Sequence, residues 1–148
     1  MLKYFYSLCF EYLVSVNGEQ VPSDFQIGYF SSLSFVKGKA LEFSKLPGFC
    51  LHPISCFKTT RVGVRFNQEE VDKENVSIFL LTHEYEKDGF DFVADFGAFA
   101  DFNEANDQLE KYKVTRRYKP YPNGFEIAEC KVNRTIGWTE GFVLFNQS

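Results

Sequence analysis

The sequence predicts an α+β fold: a mainly antiparallel sheet of about five strands with about three helices packed mostly on one face. Three observations predict it. Apolar residues recur at helical spacing in the first third and again after Asp101. Clean two-residue alternation occupies the middle, interrupted by the hairpin signal Asp88-Gly89. No internal repeat or Pro/Ser-rich linker breaks the 148 residues, so one globular domain over 1–148 is expected.

Residues 2–16 carry two periodicities. Every even position from Leu2 to Val16 is apolar, which suits a strand, while Lys3, Ser7, Glu11 and Ser15 recur every four residues, which suits a helix. Length favours the helix, since four turns are ordinary and a strand this long is not. Gly18 then reads as the residue just past the helix end. A second stripe, Phe25, Tyr29, Leu33, Val36, Ala40 and Phe43, predicts a helix capped by Ser23 or Asp24 and stopped at Pro47-Gly48. Phe49 to Phe57 reads as irregular.

From there the pattern turns to β. Arg61–Phe66 alternates, and Asn67 to Glu70 reads as a polar connection with room for one helical turn. Val76–Tyr85 has the Ile, Leu, Phe and Tyr content of a strand buried on both faces. Phe90–Phe96 places Phe90, Phe92, Ala94 and Phe96 on one side and Asp91, Val93 and Asp95 on the other. Asp101 and Glu104 have capping-box spacing and open a helix whose inward residues are Phe102, Ala105, Leu109 and Tyr112. Tyr121-Pro122-Asn123-Gly124 is a turn, and strands near Phe125–Val132 and Trp138–Phe145 complete the sheet.

Composition bounds the function classes. Eighteen Phe and eight Tyr against one Met predict a core built from rings. The N-terminal apolar run is interrupted by Glu11 and is too short to span a bilayer, so reduced thiols and a cytoplasmic location are expected. Net charge is −4, which argues against nucleic-acid binding. The charge is segregated: residues 61–110 hold 13 acidic and 4 basic side chains, and residues 111–148 hold 3 acidic and 7 basic. Acidic residues at the start of the helix after Asp101 and Lys111, Lys113, Arg116 and Arg117 at its end complement the helix dipole, which accounts for much of that pattern.

Catalytic signals are sparse. Cys50, His52 and Cys56 with distant Cys130 lack the paired C-x2-C knuckle of a zinc site, and buried structural thiols explain the same residues. No nucleophile motif surrounds His52 or His83, and neighbouring His83 and Glu84 point to opposite faces of a strand. Asp91 and Asp95 share a face but stand about 13 Å apart at ~3.3 Å per residue, too far to grip one cation. No glycine-rich phosphate cradle occurs. The chain is therefore expected to be non-catalytic, without cofactor or metal. Its candidate partner-binding residues are Glu84, Glu86, Asp91, Asp95, Glu104 and Asp107, an outward carboxylate patch suited to a protein partner with a basic surface, with neither nucleic acid nor membrane as partner. A solvated face with no partner is the competing reading of these residues.

Short, acidic, aromatic and without an enzyme motif, the chain resembles by general profile the small bacterial immunity proteins that neutralise contact-delivered or polymorphic toxins. That resemblance implies stoichiometric occlusion of a toxin's cleft, such as that of a nuclease. A self-assembling structural or adaptor module, and a metal-dependent enzyme using Cys50, His52 and Cys56 or the carboxylates, are the alternatives.

Overall fold

The computed structural model describes residues 1–68 and 70–142. Its elements in chain order are β1 (Leu2–Val16), β2 (Glu19–Phe30), α1 (Leu33–Phe43), 3-10 turns at Phe49–Leu51 and Ile54–Cys56, β3 (Phe57–Arg65), β4 (Ser77–Lys87), β5 (Phe90–Phe99), α2 (Phe102–Lys113), a 3-10 turn at Pro122–Gly124, β6 (Phe125–Lys131) and β7 (Arg134–Thr135). The fold is α+β, with seven strands in two sheets, ordered β3-β1-β2-β7 and β5-β4-β6, and two α-helices among the described residues. The pairings of β1 with β2, β2 with β7, and β4 with both its neighbours are antiparallel. No described helix is long and apolar enough to cross a membrane.

Contacts divide the chain into two compact units: Phe5–Arg61 with the chain from Val132 onward, and Met1–Tyr4 with Val62–Lys131. Residues 2–16, most of them in the first of these units, form a strand rather than the expected helix. The four-residue spacing of Lys3, Ser7, Glu11 and Ser15 is a multiple of two, so it fits one strand face as well as one helix stripe. The deciding residues are Asn17 and Gly18, with φ of 52° and 82°, the left-handed pair of a two-residue hairpin turn joining β1 to β2. Gly18 thus turns a hairpin and ends no helix.

The expected second helix also begins later. Phe25 and Tyr29 belong to β2, and α1 starts at Leu33, where the Ser32 side chain accepts a hydrogen bond from the Phe35 N–H at 3.1 Å. Pro22 lies in β2 opposite Leu13, away from the two residues, Gly28 and Tyr29, that β7 pairs with; there a missing N–H costs no ladder bond. A bulge at Ile27 shifts the register between Leu8 and Cys9. Gln26 holds it, its Nε2 donating to the Leu8 and Gly28 carbonyls at 3.2 and 3.1 Å. Gly28 is required, because a Cβ there would stand 2.8 Å from the Arg134 carbonyl oxygen.

The core of this unit is Leu8, Phe10, Ile27, Phe30, Val36, Phe43 and Phe49. Phe10 sits at its centre, edge-on to Phe49 at 4.8 Å and against Phe57 at 4.9 Å. Ring edges meeting ring faces add to the area each ring removes from water. Trp138 forms no strand; its backbone is left-handed (φ 67°) and its indole stacks on Phe25 at 4.0 Å. The remainder of the strand expected near Trp138–Phe145, beyond Phe142, lies outside the described residues.

The other unit follows the sequence reading more closely. Asp88 and Gly89, with φ of 54° and 80°, turn β4 into β5. The Asp101 carboxylate caps α2 by accepting from the Glu104 N–H at 2.8 Å. Of the four residues expected to face inward on α2, Ala105 is fully buried, Leu109 and Tyr112 are half-buried, and Phe102 is exposed.

Candidate functional site

Register decides which carboxylates meet. β4 is the central strand of its sheet. Glu86 lies opposite Asp91, Glu84 opposite Val93, and Thr82 opposite both Asp95 on β5 and Glu126 on β6. Directly opposed residues point to the same face, so Glu84, Glu86, Asp91, Asp95 and Glu126 share one side. The shallow groove on that side is lined by Glu84, Glu86, Asp91 and Glu126 together with Thr82, Val93 and the Asn123–Phe125 turn, and by no Lys or Arg. None of its four carboxylates has a cation within 4.0 Å among the described residues.

The opposite face explains why the acid face stays bare. His83 and Tyr85 project there; the rings of Tyr118 and Phe125 close over His83, and Phe96 packs on both of them. Tyr112 of α2 packs on Phe96 at 4.2 Å. The helix therefore covers the His83 face and leaves the Glu84 face to solvent.

That placement separates the six residues the sequence singled out. Glu84, Glu86 and Asp91 come together. Asp95 shares their face by register, but its Oδ1 accepts from the Gly97 N–H at 2.8 Å, where Phe96 and Gly97 bulge out of the ladder with β4. Glu104 and Asp107 do not join them. They stand on α2 beside a different groove that also contains Arg65 and Lys111, and Glu104 accepts from Asn67 Nδ2 at 3.2 Å. Glu126 was missed. Its alternation with Phe125 and Ile127 was legible, but only the strand order β5-β4-β6 sets it beside Thr82.

Opposing Glu86 to Asp91 costs stability, since like charges directly across a ladder repel. The cost is sharpened by position. Lys87 and Phe90 close the two-residue turn as a hydrogen-bonded pair, so Glu86 and Asp91 form the next, non-hydrogen-bonded pair, in which side chains stand closer.

Among the described residues, no three His, Cys, Asp or Glu side chains come together as a metal site would require. Cys50 is exposed and Cys56 half-buried, in two separate 3-10 turns, and the His52 ring packs on Phe10 and Tyr12. Burial first, and Glu129 second, push the Cys130 thiol up; burial, then Asp24 and Glu11, do the same to Cys9. Thiols held that way are poor nucleophiles. His83 is wholly buried, with its Nε2 2.8 Å from the Tyr121 carbonyl and its Nδ1 without a hydrogen-bond partner among the described residues. Gly124 is forced by this packing, since a Cβ would stand 2.4 Å from the Glu84 carbonyl oxygen and 2.6 Å from His83 Nε2.

No protein family, curated protein or solved structure matches the chain.

Proposed function

We propose that the chain is a non-catalytic binding protein of the immunity type. It inhibits a partner toxin by laying the carboxylates of Glu84, Glu86, Asp91 and Glu126 over a Lys/Arg-rich cleft such as a nuclease carries. The observation behind this reading is the groove itself, four carboxylates with no basic residue in its lining and no ion pair of their own among the described residues. Unpaired exposed carboxylates are hydrated and cheap to leave in water. Desolvated against arginines they form short charge-assisted bonds, and their field speeds the encounter.

The test is a pull-down with the wild-type chain and an E86K/D91K variant at low and high salt, with captured proteins identified by mass spectrometry. The expected result is one basic protein, encoded beside this gene, held by the wild type at low salt and lost both at high salt and with the variant. The same partners captured by both proteins, whatever the salt, overturn the proposal. Inhibition of that partner's activity at one-to-one stoichiometry separates an inhibitor from a mere adaptor.

A further inference from the structure

The acid face adjoins a free sheet edge. β5 is the outermost strand of its sheet. Because Asp88-Gly89 is a two-residue turn, Phe90, Phe92 and Ala94 spend their backbone groups on Lys87, Tyr85 and His83. Asp91 and Val93 therefore turn their N–H and C=O groups outward, and no protein group among the described residues takes them. Side chains above and below this edge differ in kind. Asp91 lies on the acid face, while Phe90 and Phe92, 69% and 39% exposed, lie on the other.

We infer that the partner binds by strand addition. An extended basic segment pairs with β5 over Phe90–Asp95, with Lys or Arg at every second position above the acid face and apolar residues between them over Phe90 and Phe92. The inference rests on the acidic-face reading and adds the manner of binding. Main-chain bonds supply affinity in such additions and alternate side chains supply specificity.

Charge selects this occupant over a second copy of the chain. Two β5 edges paired antiparallel about Val93 would set each Asp91 against the other copy's Asp95. Like charges directly opposed destabilise a ladder. Edge strands are commonly guarded by Lys or Pro, and Phe90–Phe99 contains neither. Its guard is acidic, so it repels its own kind and admits a basic strand.

The probe is a fluorescent ten-residue peptide alternating Lys and Val, with two analogues N-methylated at all Lys or at all Val residues. All three carry the same charge, but each analogue loses the N–H groups of one strand edge. Saturable binding of the parent, weakened at least tenfold by one methylation set and not by the other, is the expected result. Slowed solvent exchange of the Asp91 and Val93 amides should accompany it. Equal binding of all three peptides, abolished by E86K/D91K, overturns strand addition and leaves the acidic face standing. Binding that E86K/D91K does not weaken overturns both readings. Absence of saturable binding by the parent peptide overturns strand addition.

Discussion

The two hairpins of this chain are locally alike and differ in what covers them. β1/β2 and β4/β5 each turn through two left-handed residues, Asn17-Gly18 and Asp88-Gly89. Each contains a bulge, and each opposes two carboxylates at a non-hydrogen-bonded position, Glu11 to Asp24 and Glu86 to Asp91. Yet β1/β2 is flanked on both sides, by β3 and β7, and one face is filled by the rings around Phe10. Among the described residues β4/β5 is flanked only on the β4 side, and it leaves Phe90 and Phe92 exposed beside an acid groove. The groove beside Glu11 and Asp24 also includes Lys58, whereas the groove beside Glu86 and Asp91 has no basic residue among the described ones. Local chemistry made both hairpins; tertiary context enclosed β1/β2 between neighbouring strands, whereas in the other hairpin it buried Ile78, Leu81 and His83 of β4 and left β5 at the surface.

The largest test of that contrast is ring deletion. Phe10→Ala removes a side chain with 0% exposure from the centre of a ring cluster, and should cost about 3–5 kcal/mol in urea denaturation. Phe90→Ala removes a ring 69% exposed and should stay within about 0.5 kcal/mol. Comparable costs would mean that β5 is as thoroughly packed as β1.

A smaller effect is expected where the second sheet meets its turn. Gly124→Ala forces a methyl against the Glu84 carbonyl and the His83 ring, and should cost about 1–3 kcal/mol. Gly89→Ala tests the turn itself. Its backbone is left-handed and a Cβ would meet open space, so only the conformational cost of about 1–2 kcal/mol is expected.

The smallest effect separates stability from binding. Glu11→Lys and Asp91→Lys each replace a like-charge pair with an opposite one, and each should raise stability by roughly 0.2–1 kcal/mol at low salt. Only Asp91→Lys should weaken the partner. A loss of binding from Glu11→Lys would move the site to the other hairpin.

How far the sequence could be read follows the same division. Phe90–Phe96 alternates strictly beside Asp88-Gly89, and Asp101 with Glu104 marks the start of a helix; β5 and α2 follow. Residues 2–16 are ambiguous by periodicity because a four-residue spacing satisfies both periods; the local signal that resolves them is the Asn17-Gly18 hairpin turn, while the ring core that covers the strand is displayed by no local pattern. Pro22 reads as a helix-start signal until its neighbours are known. In the site, Glu84, Glu86 and Asp91 were legible because one hairpin register joins them. Glu104 and Asp107 were grouped with them by sequence proximity, but α2 packs against the opposite face of that sheet.

By itself, the sequence determined the fold class, the ring-built core, the β4/β5 hairpin and the sign of the charge it presents. These depend on periodicity, turn residues and composition, which act over a few residues. Tertiary structure alone decided that Glu126 joins the acid groove while Glu104 and Asp107 do not, and that β5 is an edge. Those outcomes depend on strand order and on which face a helix covers, set by contacts between residues far apart in the chain.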